Sequence, residues 1–276
     1  MENTPGIIHR GLVHTNNGYV HYRSLGNGPA IALLHINQQS SAAYLELMKD
    51  LASNFTAIAV DFPGHGMSDH MPRQPSVSDY SDAIMAVMNA LGIPTCHLLG
   101  EAIGAVVAVD IAARFPATTR NLVLLNCPYV PGGTTQQTDA RVTPEQRPSD
   151  SSGFPLTRTI EFLLHNDAVH APVRPTQDWM DRINVAQMEA GRDRWQGLAA
   201  MHAYDLGATA PTVRSPVLAI YGEQFHFTSL RQDLVSLFRD AQVEIIPNGR
   251  FCIGWEHAKA IGESIRAFTG QRQAAT

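Results

Sequence analysis

The sequence predicts an α/β fold in which helices cover both faces of a mostly parallel sheet. Three observations indicate this class: short apolar runs recur along the chain, helical stretches separate them, and glycine-containing turns join the two. Apolar runs without alternation are typical of strands that are buried on both faces. Strands that alternate with helices pair in parallel, because each helical crossover brings the chain back to the same end of the sheet.

The strands follow one another from the amino terminus. Asn16-Asn17-Gly18 is a hairpin turn between two alternating stretches, residues 12–15 and 19–24, which predicts an antiparallel pair. Runs of small or branched apolar residues predict buried strands at 30–34 and 95–99. Further strands are expected at 56–60, 122–126 and 216–221, and a final strand at 242–246. A closing helix is expected at 255–268, followed by a frayed tail at 271–276.

The most informative segment is residues 100–104, Gly-Glu-Ala-Ile-Gly, which joins a predicted strand to a helix rich in small residues. Glycines two residues before and after a central position describe the nucleophile elbow, G-x-S-x-G. The turn needs them because it strains its central residue and leaves no room for side chains beside it. That central residue is Ala102, whose methyl group cannot attack a carbonyl carbon. A register with Glu101 at the tip is excluded, since Leu99 and Ile103 would replace the glycines.

The order of segments around this turn resembles the α/β-hydrolase superfamily over nearly the whole chain. The most specific match is residues 61–69, DFPGHGMSD, which is similar to the family's D-x-P-G-x-G-x-S-D loop. A second match is residues 35–39, HINQQ, where the family usually has His-Gly-x-x. The resemblance implies an α/β-hydrolase fold: a mostly parallel eight-stranded sheet, helices on both faces and an inserted helical cap.

The same resemblance locates the family's catalytic acid and histidine. Phe225 stands at the usual position of the acid, in Gly222-Glu-Gln-Phe, just after the strand at 216–221. Arg250 stands at the usual position of the histidine, in Gly249-Arg-Phe, and a shift of one residue is open in that turn. A Ser-His-Asp relay needs a hydroxyl, an imidazole and a carboxylate. None of them is found at the three positions.

The composition changes between residues 128 and 212, where a polar, glycine-rich stretch is followed by helical patterns. In the family, the insertion at this point forms a cap over the elbow, and its inner face shapes the substrate pocket. We therefore predict a core of residues 1–127 and 213–276 with a helical cap of residues 128–212. Aromatic residues and methionines in the insertion suit an apolar or aromatic small molecule; packing of the cap on the core is the alternative role of each.

Composition limits the classes of partner. The net charge of −5, with charges scattered along the 276 residues, argues against nucleic acid and anionic membranes as partners. Three widely spaced cysteines are typical of reduced thiols in the cytoplasm. No signal segment, membrane span or metal-spaced cluster of Cys and His is expected, and no cofactor is predicted. Whether the chain forms a homodimer is left open.

Glu101 is the first candidate for chemistry. A carboxylate enclosed by apolar neighbours has a raised pKa and suits general acid or base catalysis near neutral pH. The alternative is a structural hydrogen bond between the elbow and a neighbouring loop. Arg250 is the candidate counter-ion of Glu101, a clamp for a substrate carboxylate, or a solvated loop residue.

Further candidates surround the elbow. By the resemblance, backbone N–H groups of residues 35–39 and of Ile103 form the family's oxyanion hole and would also stabilise an enolate or phenolate. His226 could donate a proton at the pocket rim, and His35 either supports its loop or takes part in the chemistry. The predicted catalytic residues are Glu101, Arg250, His226 and His35. The predicted ligand contacts are Asn37, Gln38, Ala102, Ile103, Trp179, Trp195, His202, Tyr204 and Phe225.

Three functions remain open. The first is a cofactor-independent enzyme without covalent catalysis, which performs isomerisation, cyclisation, elimination or C–C cleavage on an apolar or aromatic metabolite. The second is a catalytically dead hydrolase that binds or senses a small molecule. The third is a serine hydrolase that carries alanine in place of serine at position 102. Arg250 and Phe225, at the positions of the histidine and the acid, argue against this third function.

Overall fold

The structure is a computed structural model and describes residues 6–131 and 176–273. Its sheet has eight strands in the order β1-β2-β4-β3-β5-β6-β7-β8. The strands are β1 (His9–Thr15), β2 (Gly18–Leu25), β3 (Ala30–Leu34), β4 (Thr56–Val60), β5 (Cys96–Glu101), β6 (Thr119–Leu125), β7 (Val217–Gly222) and β8 (Ala241–Ile246). Strand β2 is antiparallel to β1 and β4, and all other pairs are parallel. The predicted mostly parallel, eight-stranded α/β fold is confirmed.

Helices of the described residues connect these strands. They are α1 (Leu45–Leu51), α2 (Val77–Ala90), α3 (Ile103–Arg114), α4 (Gln177–Ala190), α5 (Gln196–His202), α6 (Leu206–Thr209), α7 (Arg231–Val235), α8 (Ile253–Glu256) and α9 (Ala258–Gln273). Ser76 and Asp79 start α2 with a reciprocal capping box. Helix α9 continues to Gln273, so the predicted fraying at residue 271 is wrong for residues 271–273.

Helices α4, α5 and α6 lie between β6 and β7, within the predicted insertion. Most of its first half, including a helix that the sequence predicts at 157–164, lies outside the described residues. The division into a core and a cap of residues 128–212 therefore stays a prediction.

The core has two layers because side chains alternate across the sheet. On β5, Leu98 packs in the layer that contains α2 and α3, whereas Leu99 packs in the layer that contains α1 and α9. This alternation assigns Glu101, two residues after Leu99, to the α1 and α9 side. Within the described residues, no helix combines the length and apolar character that crossing a membrane requires.

Candidate active site at the end of strand β5

The turn between β5 and α3 has the geometry of a nucleophile elbow. Ala102 at its tip has φ 52° and ψ −111°, a backbone conformation that a non-glycine residue rarely adopts. A Cβ on Gly100 would overlap the carbonyl of Gly104, and a Cβ on Gly104 would overlap the carbonyl of Leu34. Both glycines are therefore required by close backbone contacts, as the motif predicts.

The tip of the elbow is enclosed by apolar side chains. Ala102 forms a buried group with Ile36, Trp179, Ile183 and Cys252, called here the elbow cluster. Partly buried apolar side chains pack against this cluster: Met180, Phe251 and Trp255. Helix α4 supplies both Trp179 and Ile183, so the insertion covers the tip directly. The predicted contact of Trp179 with a ligand stays a prediction.

Aromatic rings occupy the region where the family keeps its acid and histidine. Phe225 is buried, and its ring meets that of Phe251 edge to face, with centroids 5.1 Å apart and planes at 86°. His226 is exposed, with its ring centroid 4.6 Å from that of Phe225 and 5.3 Å from that of Phe251. Phe225, at the position of the acid, therefore packs against another ring and offers no carboxylate.

Glu101 lies on the opposite side of the turn from the elbow cluster and is 2% exposed. Its Oε1 accepts hydrogen bonds from the backbone N–H of Ile253 at 2.9 Å and from Asn126 Nδ2 at 3.4 Å. Its Oε2 accepts from the Gly254 N–H at 3.3 Å. These three donors hold the carboxylate, and the ion pair of Glu101 with Arg250 stays a prediction.

The pKa of Glu101 reflects this enclosed position. Burial raises the pKa to about 7, while the hydrogen bonds from Gly254, Ile253 and Asn126 act in the opposite direction. The pKa of Glu101 is therefore raised, as the sequence predicts. The side chain nevertheless contacts the start of α8 rather than the cleft, which matches the structural alternative for Glu101.

Asn126 links three segments around Glu101. Its Nδ2 donates to the Arg250 carbonyl at 2.6 Å as well as to Glu101, and its Oδ1 accepts from the Gly222 N–H at 2.9 Å. The loop that carries Arg250 is therefore fixed through its backbone to the ends of β5 and β7. Arg250 itself is half-buried.

The loop after β3 is held by His35, which is completely buried. Its Nδ1 lies 2.9 Å from the Ile36 carbonyl, and its Nε2 accepts from the Phe62 N–H at 3.1 Å. Burial lowers the pKa of His35, so the ring is neutral, with its proton on Nδ1. Both ring nitrogens are engaged inside the core, which corrects the placement of His35 among the catalytic candidates.

The same loop contacts the insertion. Gln38 has φ 60°, and its carbonyl and side-chain oxygens accept from Gln187 Nε2 on α4 at 3.3 and 2.8 Å. Among the hydrogen bonds of the described residues, the backbone N–H groups of Asn37 and Ile103 have no acceptor. Ile103 is the first residue of α3, where a helix leaves its N–H groups unpaired. Such a pair of donors suits an oxyanion.

Other predicted contacts lie farther from the tip. The Tyr204 hydroxyl donates to Asp110 on α3 at 3.0 Å, and the residue lines a groove of about 280 Å³ beside the start of α2. Tyr204 does not belong to the elbow cluster, and its contact with a ligand stays a prediction. Trp195 is buried at the start of α5 but does not belong to the elbow cluster. Burial lowers the pKa of His202 on α5.

Sequence reasoning missed part of the elbow cluster and its neighbours. Ile183 is on the apolar stripe of α4, which indicates burial but not burial against the elbow. Cys252 follows the histidine position by two residues and has φ 58°. Trp255 lies beside Trp179, with ring centroids 5.7 Å apart, and no sequence pattern distinguishes it from an ordinary core aromatic.

Solved structures share this fold. A hydrolase from Pseudomonas aeruginosa PA01 superposes with a TM-score of 0.81 at 20% identity, covering 97% of this chain and 100% of its own. The E-2-(acetamidomethylene)succinate hydrolase superposes with a TM-score of 0.73 at 23% identity, covering 96% and 100%. At these identities the likeness concerns the fold alone.

Sequence relatives are named hydrolases. A 2-(acetamidomethylene)succinate hydrolase of Mesorhizobium japonicum is 34% identical over 121 residues, which span 44% of this chain and 44% of the relative. A 2-hydroxy-6-oxononadienedioate/2-hydroxy-6-oxononatrienedioate hydrolase of Paraburkholderia phymatum is 26% identical over 91% of each chain. The chain thus spans less than half the length of the first relative. The model of the alpha/beta hydrolase family matches residues 29–258, and the chain therefore belongs to that family.

Proposed function

We propose that this protein is a cofactor-independent enzyme that uses the α/β-hydrolase scaffold without a covalent nucleophile. It binds an apolar or aromatic small metabolite at the elbow and catalyses isomerisation, cyclisation, elimination or C–C cleavage through proton transfer. One observation carries the proposal: the strained elbow and its N–H donors are kept around a methyl group. The donors are the backbone N–H groups of Asn37 and Ile103.

The strain at the elbow supports a retained binding role. Holding Ala102 at φ 52° and ψ −111° costs roughly 1–3 kcal/mol, and such conformations cluster at functional sites. Without a nucleophile to present, the turn still leaves the N–H of Ile103, at the start of α3, without an acceptor among the described residues. Backbone donors beside an apolar cluster stabilise a developing oxyanion strongly, because the surroundings are poor in water.

The side chains take separate roles in this proposal. Glu101 is a positioning residue, because its carboxylate holds the backbone of Ile253 and Gly254 next to Cys252. His226 is the proton donor or acceptor at the rim, since its exposed ring borders Phe225 and Phe251. Arg250 is the contact for a substrate carboxylate. The names of both relatives describe dicarboxylates, which favours such a contact.

A binding protein without catalysis is the second candidate. It is favoured by the apolar character of the elbow cluster, in which Cys252 is the one member whose side chain titrates. A serine hydrolase with only its nucleophile replaced is disfavoured, because Phe225 and Arg250 stand at the positions of the acid and the histidine.

The first experiment is small-molecule mass spectrometry of the protein purified from cells, followed by incubation of each co-purifying compound with fresh protein. We expect a bound apolar or aromatic compound that is converted without added cofactor. The protein should also resist a fluorophosphonate probe and show no burst with a nitrophenyl ester. Labelling or a burst would overturn the non-covalent mechanism, and binding without conversion would favour the second candidate.

A further inference from the structure

Among the buried polar side-chain atoms that have no hydrogen-bond partner in the described residues, two lie close to each other beside the elbow. They are the hydroxyl of Tyr80 on α2 and Oδ1 of Asn37 in the loop after β3. Tyr80 is fully buried, with its ring centroid 5.0 Å from that of Phe62. A buried polar group without a partner costs roughly 1–3 kcal/mol, so two of them at one place indicate a site for a polar group.

Gly197 on α5 shows that the two atoms converge. A methyl group on its Cα would lie 3.5 Å from Asn37 Oδ1, 3.9 Å from the Tyr80 hydroxyl and 3.8 Å from Ile103 Cγ1. All three are ordinary van der Waals distances, so the absence of a side chain at Gly197 leaves room for a small group. Ile103 is the first residue of α3 and directly follows Ala102 at the tip of the elbow.

The chemistry of the two atoms restricts what can bind. Asn37 Oδ1 only accepts hydrogen bonds, whereas the Tyr80 hydroxyl can donate. Burial raises the pKa of Tyr80, which keeps that hydroxyl protonated at neutral pH. A carboxylate cannot donate to Asn37, and an ammonium group cannot accept from Tyr80. A hydroxyl group can do both at once.

We propose that Tyr80 and Asn37 form a specificity subsite for a phenolic or enolic hydroxyl group of the ligand. A planar, unsaturated ligand fits because its remainder would meet the apolar and aromatic side chains around Ala102, among them Trp179 and Phe251. The inference rests on the proposed function in one respect, namely that the ligand lies at the elbow. It adds two specificity-determining groups, Tyr80 and the space at Gly197.

Phenol and anisole test the subsite, because anisole has the same ring but cannot donate a hydrogen bond. Their binding is measured by NMR titration on the full chain. Wild type should bind phenol about tenfold more tightly than anisole, the value of one or two buried hydrogen bonds. Tyr80→Phe should remove this preference, and Gly197→Ala should weaken phenol binding by filling the space.

Thermal unfolding without ligand separates this subsite from a structural role. Because the Tyr80 hydroxyl has no protein partner, Tyr80→Phe should leave the melting temperature unchanged or raise it. Gly197→Ala should do the same, since alanine favours the helix. The matched control is Tyr221→Phe, which removes a hydroxyl that donates to the Cys127 carbonyl at 2.8 Å. It should lower the melting temperature and leave the preference for phenol intact.

Several results would overturn the subsite. Equal binding of phenol and anisole by wild type, or no binding of phenol at millimolar concentration, contradicts it. A fall in melting temperature for Tyr80→Phe that equals the fall for Tyr221→Phe would instead indicate a structural water between the two atoms. Fluorophosphonate labelling would remove the proposed non-covalent function but leave the preference for phenol standing, so the two failures are distinguishable.

Discussion

The two sides of the turn after β5 differ in chemistry, although Ala102 on one side and Glu101 on the other are adjacent in the chain. On the cleft side, Ala102 packs against Ile36, Trp179 and Cys252. On the other side, Glu101 accepts three hydrogen bonds from a polar network under the turn. The comparison shows that the form of the turn depends on its glycines and on this network. The residue at the tip can therefore lack a nucleophile while the turn persists.

The largest effect is expected from a substitution that disrupts the turn on which both sides depend. Gly104→Ala should lower the free energy of unfolding by roughly 3 kcal/mol or more, because the added methyl overlaps the Leu34 carbonyl and backbone has to move. Urea denaturation measures the loss. Gly270→Ala on α9 is the control, since its methyl would meet open space among the described residues, and it should be neutral or stabilising. Equal stability of the two variants would contradict the role of Gly104.

The second prediction concerns the polar side and its pH dependence. Glu101 has an ordinary pKa of 4.5 and a pKa of about 7 in the folded protein. Between these values the folded protein holds a proton that the unfolded chain releases, so this contribution is complete below pH 4.5 and is lost as pH rises through 7. The loss amounts to roughly 3 kcal/mol. Glu101→Gln, which does not titrate, should lack it.

The measurement is urea denaturation of wild type and variant at pH 5 and pH 8. Relative to wild type, Glu101→Gln should be more stable at pH 8 than at pH 5. The difference between the two proteins isolates Glu101, because buried histidines such as His65, whose pKa burial lowers to about 3, contribute to both. Glu263→Gln on the exposed side of α9 should keep the wild-type dependence. If the free energy of unfolding changes equally between pH 5 and pH 8 in wild type and in Glu101→Gln, the carboxylate does not titrate in this range.

The smallest effect is expected on the cleft side. Ala102→Ser should cost roughly 1–3 kcal/mol, since a hydroxyl enters an apolar cluster without a partner. It should not create esterase activity towards a nitrophenyl ester, because Phe225 and Phe251 offer neither a base nor an acid. Robust hydrolysis by this single variant would mean that another histidine, His226 or His202, acts as a base.

Local patterns account for most of what the sequence predicts correctly. The hairpin at Asn16–Gly18 and the glycines of the elbow depend on backbone geometry within a few residues. They can therefore be predicted from the local sequence alone. The side of the sheet on which the Glu101 side chain lies can also be predicted from the sequence. Glu101 alternates with Leu98 and shares a face with Leu99 along β5, which places it away from the cleft.

The rest of the site depends on contacts between distant segments. Tyr80 and Gly197 come together because α5 packs over α2 and the elbow, and neither residue differs locally from ordinary core positions. Likewise, Ile183 becomes part of the elbow cluster only through the path of the insertion. Periodicity predicts that such residues are buried but not which neighbours they meet.

The side chain of Asn126 fixes the positions of neighbouring loops by hydrogen bonds to their main-chain atoms. Its amide group ties Gly222 and the Arg250 carbonyl to Glu101 at the end of β5, so the loops after β7 and β8 keep their places through bonds to main-chain atoms. None of these bonds involves the side chains at positions 102, 225 and 250. Substitutions of those three side chains would therefore leave these main-chain bonds in place.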